Sequence, residues 1–252
     1  MKNKLVFLHI PKTAGQAVHA ALQKSFGENN VSKIRINSHF EDLEKVNDYQ
    51  EIVYSGHIDW EKAEKIPGDK VYFTILREPT ERILSYYHYI RSEASKLDDE
   101  ELNSPNRIGM KKALKCSPNE YFCSSDPSFK KFIDSHYDNF YVRFFSKKRY
   151  NNNDYDSEQH AVKLAMANLN RLDAIYTVSN WGLVSDLIKS NFDVNPIVDA
   201  NVRHNVGDGL STNDRLLMLH DIGEADLAIK RIKTMVKLDN IVYNYAISLN
   251  SL

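Results

Sequence analysis

The sequence has few cysteines and no long apolar run, and both absences narrow the class of protein. Its two cysteines, Cys116 and Cys123, do not indicate a disulfide framework. The first apolar run ends at Pro11, far short of the ~20 residues that a membrane-spanning helix needs. No secretory signal peptide is recognisable at the start of the sequence. The expected location is therefore the cytoplasm.

An excess of one charge is also absent, since 33 basic residues stand against 34 acidic ones. This balance gives no indication of a nucleic-acid partner. Eight basic residues nevertheless concentrate in the middle of the chain: Lys111, Lys112, Lys115, Lys130, Lys131, Lys147, Lys148 and Arg149. They predict either an ordinary solvated surface or a basic rim for an anionic acceptor.

Two groups of motifs are missing. The sequence has neither a paired-cysteine motif nor HExxH, so it indicates no metal site. No glycine lies five residues before Lys12, and a proline directly precedes that lysine. The segment is therefore not a triphosphate loop of the form GxxxxGK[ST], which disfavours ATP as a donor.

The apolar runs that are present predict an α/β fold. Short runs predict strands at residues 4–9, 51–55, 70–76 and 174–178, each followed by a helical pattern. This alternation predicts a mostly parallel sheet flanked by helices, in a single domain over residues 1–252.

Two further segments complete the expected fold. The irregular segment around residues 98–155 predicts an insertion of short helices and loops, which is a candidate for substrate selection. Residues 223–249 have a long helical pattern.

The segment that follows the first strand predicts an anion site. A strand that turns sharply into a helix leaves backbone N–H groups pointing to one place, at the positive end of the helix. Lys12 adds a charge there, Thr13 adds a hydroxyl, and Gly15 allows close backbone approach or a bend. Taken alone, the same residues are equally consistent with an ordinary loop and helix cap.

The motif Ile10-Pro11-Lys12-Thr13-Ala14-Gly15 resembles the 5′-phosphosulfate loop of carbohydrate sulfotransferases, especially the heparan sulfate 2-O-sulfotransferase group. The resemblance implies a P-loop-like sulfotransferase fold and PAPS (3′-phosphoadenosine 5′-phosphosulfate) as the sulfuryl donor, with PAP as product and no metal. It also implies a hydroxyl-bearing acceptor, most simply a carbohydrate. The donor-binding residues implied at this loop are His9, Pro11, Lys12, Thr13, Ala14, Gly15, Gln16 and Ala17, with Lys12 also stabilising the leaving phosphate.

A second block, Arg77-Glu78-Pro79-Thr80-Glu81-Arg82-Ile83-Leu84-Ser85-Tyr86-Tyr87, is similar to the 3′-phosphate motif of the same families. The resemblance implies that Arg77 and Ser85 bind the 3′-phosphate. A guanidinium suits this role because it donates two parallel hydrogen bonds to a phosphate. For Arg82 we expect a salt bridge with Glu78 or Glu81 instead.

His57 is the candidate general base. It follows a predicted strand end, and ligands of doubly wound sheets gather at the carboxyl ends of strands. A histidine titrates near neutral pH and can take the proton of an acceptor hydroxyl. Gly56-His57 also resembles the Gly-His of the 2-O-sulfotransferase relatives. Three other histidines compete for the role: His9, which stands where those relatives carry an arginine, His39 and His88.

The last candidates are less specific. A late basic loop covers the adenosine and 3′-phosphate in the resembled families. The resemblance implies this role for Arg203 and Asn205 of loop 201–209, with an exposed loop as the alternative. Trp60 and Tyr121 are candidates either for stacking on a sugar or for the core. The rival functions are a nucleotide-dependent small-molecule kinase and a non-catalytic nucleotide-binding protein.

Overall fold

The computed structural model describes residues 4–40, 49–150, 157–197 and 211–249. The chain divides into two compact units, and each combines separate stretches of sequence. The first unit takes the described residues of Met1–Arg77, Arg143–Val206 and Val242–Leu252, and the second those of Glu78–Val142 and Gly207–Ile241.

The first unit contains a four-stranded parallel sheet. Its strands are β1 (Lys4–Leu8), β2 (Val53–Gly56), β3 (Lys70–Leu76) and β4 (Ala174–Thr177), in the order β2-β1-β3-β4. All four coincide with predicted strands to within two residues at each end. The predicted α/β class with a parallel sheet and flanking helices is confirmed.

The helices whose two ends both lie within the described residues range from a single turn to about four turns. They are α1 (Gly15–Phe26), α2 (Trp60–Ala63), α3 (Pro79–Ala94), α4 (Asp99–Leu102), α5 (Ile108–Lys115), α6 (Pro118–Phe122), α7 (Pro127–His136), α8 (Phe140–Lys147), α9 (Glu158–Leu169), α10 (Val184–Asn191), α11 (Thr212–Leu217), α12 (Asp226–Met235) and α13 (Lys237–Leu249). Short 3-10 turns lie at Glu28–Asn30, Pro105–Arg107, Trp181–Leu183 and Met218–Asp221. Within these ranges no helix is long and apolar enough to cross a membrane.

The strand register determines which loops meet. Leu8, the last residue of β1, pairs with Gly56 at the end of β2 and with Thr74 in β3. The residues that follow β1 and β2, His9 and His57, are therefore neighbours at the same edge of the sheet. The chain leaves β1 toward β2 and leaves β3 toward β4, so the carboxyl ends of β1 and β3 form the topological switch point where such sheets bind ligands.

Helix α1 is held against the sheet by one apolar face. Its buried residues recur at the three- and four-residue spacing of an amphipathic helix, and they pack with side chains of β1, β2 and β3 in one core: Ala17, Val18, Ala21, Leu22 and Phe26. Gly27 follows the last residue of the helix as its C-cap, and its φ of 81° is a conformation that favours glycine. This packing fixes where the first turn of α1 lies relative to the end of β1.

The second unit is helical and has its own aromatic core. Tyr121 and Tyr137 are fully buried there, and their hydroxyl oxygens lie 2.9 Å apart in a hydrogen bond. In the first unit Trp60 is also buried, beneath the cationic groups of Lys148 and Arg171. Trp60 and Tyr121 are therefore core residues rather than exposed platforms for a sugar.

The long helical pattern over residues 223–249 forms two helices, because α12 ends at Met235 and α13 begins at Lys237. Asn139 accounts for the break. Its backbone N–H donates to the Met235 carbonyl (2.7 Å), and its Oδ1 accepts from the N–H groups of Leu238 (2.9 Å) and Asp239 (3.3 Å). A side chain distant in sequence thus caps the start of α13, which a local pattern does not reveal.

The basic residues of the middle segment are largely neutralised. Five of the eight form ion pairs with aspartate or glutamate: Lys112–Asp126, Lys115–Asp99, Lys130–Asp134, Lys148–Glu64 and Arg149–Glu61. In all of these pairs except Lys130–Asp134 the partner is distant in sequence. This pairing favours the solvated surface over a basic rim for an acceptor.

Candidate active site

The loop between β1 and α1 has an unusual backbone. Lys12 and Ala14 both adopt positive φ, 71° and 64°, whereas Thr13 between them does not. Such alternation turns successive N–H groups toward one point and forms an anion-binding concavity. Left-handed conformations cost free energy in residues other than glycine, and they concentrate at functional sites. The loop geometry therefore indicates a site for an anion.

The start of α1 adds to that site. Its N-cap, Ala14, provides no side-chain hydrogen bond, and no acidic residue stands in the first turn. The N–H of Val18 donates to the Ala14 carbonyl at 3.1 Å, which is the first hydrogen bond of the helix. The N–H groups of Gly15, Gln16 and Ala17 come before it and have no acceptor within the helix. Helix α3, by contrast, is capped by the carboxylate of Glu78. The start of α1 is thus available to an exogenous oxyanion.

Thr13 has a structural contact within this loop. Its side chain is fully buried, and its hydroxyl donates to the Ile10 carbonyl at 2.8 Å. The bond ties the two ends of the turn together. The sequence predicts that the Thr13 hydroxyl donates to the ligand, but in the structure it donates to the Ile10 carbonyl instead. The backbone N–H of Thr13 lies between the two positive-φ residues, Lys12 and Ala14.

His9 lies beneath the start of α1. A Cβ atom on Gly15 would come within 1.6 Å of His9 Nε2, so only glycine leaves space for this imidazole. The ring stacks on Phe7, with centroids 5.2 Å apart, and its Nδ1 is buried without a hydrogen-bond partner among the described residues. Burial and the neighbouring His57 are the main causes that hold the pKa of His9 well below its ordinary 6.5. His9 is therefore a neutral imidazole.

His57 stacks on His9, with ring centroids 4.1 Å apart and planes inclined by 24°. Its Nδ1 lies 2.9 Å from the His9 carbonyl oxygen. Because a carbonyl can only accept, Nδ1 carries the hydrogen, and Nε2 of the neutral ring keeps its lone pair. This is the tautomer that a general base needs.

Tyr150 supports this arrangement. Its hydroxyl donates to the same His9 carbonyl, and its ring meets His57 edge-on at a centroid distance of 5.9 Å. The backbone N–H of Tyr150 donates to Asp59 Oδ1 at 2.8 Å. His57 is thus oriented by a backbone carbonyl, a stacked ring and a perpendicular ring.

The electrostatics keep His57 neutral near physiological pH. Burial lowers its pKa below 6.5, the hydrogen bond to the His9 carbonyl raises it in part, and the charge of Arg35 lowers it again. His19, one helical turn after Gly15, has its pKa lowered to about 4 by burial and by Arg35. The site therefore combines neutral imidazoles with the cations Lys12 and Arg35.

Sequence reasoning missed Arg35, His19 and Tyr150. Arg35 and Tyr150 lie in no recognisable motif, and their positions depend on pairings between distant segments. His19 had a signal, because it stands four residues after Gly15 and so on the same face of a helix.

The remaining predicted residues belong to different parts of the chain. Arg77 directly follows β3 in the first unit, whereas Ser85 lies in α3 of the second, and both are partly exposed. Arg203 and Asn205 lie outside the described residues. Of the competing bases, His39 is exposed, and His88 lies on α3 in the second unit.

The expected salt bridge of Arg82 with Glu78 or Glu81 is wrong. Arg82 is buried, and its guanidinium donates to the His136 (3.0 Å) and Tyr137 (3.4 Å) carbonyls and lies over the Phe140 ring. Glu78 instead caps α3, and Glu81 pairs with Arg215. Arg82 thus joins segments of the second unit.

Metal ligands are not clustered in the described ranges, where no group of three or more His, Cys, Asp or Glu side chains is placed to hold an ion. The charged groups that the described site brings beside the two stacked imidazoles are those of Lys12 and Arg35.

The comparisons with known proteins agree with this geometry. No curated protein matches the chain. The model of the sulfotransferase family matches residues 1–246, which is nearly the whole sequence. A sheet of the expected class, an anion-binding loop after β1 and a full-length family match all support sulfuryl transfer. The chain therefore belongs to the sulfotransferase family.

Proposed function

We propose that the chain transfers a sulfuryl group from PAPS to a hydroxyl group of a carbohydrate, with His57 as the general base. One observation carries the proposal: the Nδ1–H of His57 is bonded to the His9 carbonyl at the end of β1, where the anion-binding loop begins. This bond leaves Nε2 as a proton acceptor next to a loop suited to a phosphosulfate.

The β1–α1 loop fits the 5′-phosphosulfate of the donor. The positive-φ residues Lys12 and Ala14 orient the loop amides, and the uncapped start of α1 contributes the N–H groups of Gly15, Gln16 and Ala17. Pro11 and Thr13 shape the turn, and His9 supports it from below. When bound, PAPS supplies the sulfuryl group and a phosphate leaving group.

The chain's own residues then manage a proton and a developing charge. His57 Nε2 takes the proton of the acceptor hydroxyl as that oxygen forms its bond to sulfur. The bond from sulfur to the phosphate oxygen breaks on the opposite side, and Lys12 stabilises the negative charge that develops on that oxygen. PAP leaves with the electron pair of the broken bond.

The finer assignments depend on the sequence resemblance. Arg77 follows β3 at the switch point of the sheet, which supports a phosphate-binding role. The assignment of Ser85 to the 3′-phosphate and of Arg203 and Asn205 to nucleotide closure rests on sequence alone, as does the carbohydrate acceptor.

A melting experiment tests the donor. PAP is expected to raise the melting temperature, because a ligand at a hundred times its Kd adds about 2.7 kcal/mol of stability. ATP and AMP at the same concentration should give a much smaller shift, because neither has a 3′-phosphate. A chain that does not respond to PAP would contradict the proposal.

A pair of variants tests the base. His57→Ala should keep the PAP response and lose sulfate transfer from labelled PAPS by about 10²- to 10⁴-fold. His39→Ala, which removes an exposed histidine of the same unit, is the matched control and should retain both. Undiminished transfer in His57→Ala would refute the assignment of the base. A panel of glycosides, lipids and phenols supplies the acceptors.

A further inference from the structure

Arg35 is a half-buried cation for which the described residues provide no anionic partner. Its Nε atom is buried and has no hydrogen-bond partner, and within the described ranges no carboxylate forms an ion pair with its guanidinium. Burial lowers the pKa of Arg35. Because a cation withdrawn from water without a partner is costly, such a group is typically completed by an anion.

The backbone of Arg35 is fixed to the candidate base. Its carbonyl accepts from the His57 N–H at 2.7 Å, and the next residue, Ile36, pairs with His57 as a parallel bridge. Gly56 allows this approach, since a Cβ atom there would lie 2.6 Å from the Arg35 carbonyl oxygen. The backbone of Arg35 is therefore held in a constant relation to His57, and its side chain starts from a fixed point beside the candidate base.

Among the described residues, the surroundings of Arg35 are poor in negative charge. Its charge contributes to the lowered pKa of three histidines, His9, His19 and His57. In the part of the chain that the structure describes, no carboxylate is among the groups that shift these three pKa values. A guanidinium beside neutral imidazoles, with Lys12 on the adjacent loop, is suited to an oxyanion.

The topology indicates which molecule carries that oxyanion. The proposed donor residues Lys12 and Arg77 follow β1 and β3, whereas His57 follows β2 at the edge of the sheet. Arg35 is tethered on this β2 side. The acceptor must reach His57, so Arg35 lies on the side where the acceptor enters rather than on the side of the 3′-phosphate.

We propose that Arg35 binds a carboxylate or sulfate substituent of the acceptor, close to the hydroxyl that His57 deprotonates. This inference rests on the proposed function and makes Arg35 the residue that selects anionic over neutral sugars. The planar guanidinium can donate two parallel hydrogen bonds to either oxyanion. A neutral sugar cannot pair with this charge, so it lacks the gain in binding that an anionic sugar obtains.

The first test measures binding, which does not depend on turnover. Isothermal titration calorimetry of the PAP-saturated protein uses p-nitrophenyl β-glucoside, the matched β-glucuronide and the matched 6-O-sulfated glucoside. The wild type should bind at least one anionic probe about ten- to a hundredfold more tightly than the glucoside, as expected for a hydrogen-bonded charged group. Arg35→Gln should abolish that preference and leave the affinity for the glucoside unchanged.

Three controls separate charge, geometry and folding. Lys33→Gln removes an exposed positive charge two residues away and should retain the preference. Arg35→Lys keeps the charge without the planar fork and should retain only part of it. The melting temperature of each variant with PAP shows whether the variant is folded and still binds the donor product.

Several results would overturn the assignment of Arg35. One is a wild type that binds neither anionic probe better than the glucoside, and another is Arg35→Gln with an unchanged preference. In a third, Arg35→Gln weakens PAP binding and leaves the sugar preference unchanged. That result would mean that Arg35 binds an anionic group of the donor rather than of the acceptor. The proposed function fails separately, through a wild type that neither responds to PAP nor transfers sulfate from PAPS.

Discussion

The imidazole of His9 occupies the space that any side chain on Gly15 would need, since a Cβ there would lie 1.6 Å from His9 Nε2. The same histidine stacks on His57 and accepts its Nδ1–H through the backbone carbonyl. Gly15 thus links the start of α1 to the orientation of the candidate base. The group that approaches the backbone of Gly15 closely is therefore a side chain of the same protein, the His9 imidazole.

Gly15→Ala should therefore displace His9 and disturb both the loop and His57. We expect a loss of stability of about 1–3 kcal/mol, the usual cost of overpacking a core. Sulfate transfer should fall more than PAP binding, because His57 loses its stacked neighbour. Chemical denaturation and steady-state kinetics measure the two effects.

The double variant His9→Ala with Gly15→Ala is the control, because it removes the ring that the new methyl group meets. It should be more stable than the sum of the two single changes implies. Additive losses would mean that the contact between His9 and Gly15 is not the cause.

The pH dependence of kcat/KM should report His57. Transfer requires the neutral imidazole, and burial lowers the pKa of His57 below 6.5. The acidic limb of the profile should therefore lie below pH 6.5. Arg35→Gln removes a positive charge that lowers this pKa, so the limb should move toward higher pH. An unmoved limb would mean that the limb belongs to another group.

Much of this site was predictable from local sequence. A short apolar run, a proline and an amphipathic pattern define β1, the loop and α1, since strand and helix periodicity are properties of neighbouring residues. Pro79 is the first residue of α3, where proline is favoured because it suits a first helical turn. His57 was recognised from its position at a strand end.

The surroundings of His57 were not predictable in this way. The contact of His9 with His57 follows from the register of β1 on β2, which pairs Leu8 with Gly56 across 48 residues of sequence. Tyr150 reaches the same carbonyl from a separate segment, 141 residues away. Neither pairing has a local signature, and the buried position of Arg82 depends equally on the distant carbonyls of His136 and Tyr137.

The two arginines of the Arg77–Tyr87 block should respond differently to substitution. Arg77→Gln should weaken PAP binding by about ten- to a hundredfold, the value of a charged hydrogen bond, with little change in stability. AMP, which has no 3′-phosphate, should bind the variant and the wild type equally. Calorimetry with both nucleotides checks this, and an equal loss for AMP would place Arg77 elsewhere on the ligand.

Arg82→Met should instead destabilise the fold. The change leaves the carbonyls of His136 and Tyr137 without their buried donor, at about 1–3 kcal/mol for each unsatisfied group. Urea denaturation should show the loss, whereas PAP affinity of the folded protein should be nearly unchanged. A stable Arg82→Met variant with weak PAP binding would give Arg82 a direct role in the ligand site.

Stability should fall as the solution becomes acidic, because the histidines beside the loop resist protonation in the folded state. Burial and neighbouring charges lower the pKa of His9 far below 6.5 and that of His19 to about 4. Below pH 6.5 the unfolded chain therefore binds more protons than the folded one, so the free energy of unfolding decreases as the pH falls. Among the described residues, the titratable or charged groups that shift His9 are His57, Arg35, His19 and Lys12, and none of these supplies a negative charge to offset protonation.

His19→Gln should reduce the slope between pH 6.5 and about 4, with His39→Gln as the matched exposed control. Melting curves from pH 4 to 8 measure the slope, and PAP should reduce it, because an anion bound at the loop favours the protonated imidazoles. An unchanged slope in His19→Gln would assign the acid sensitivity to other groups.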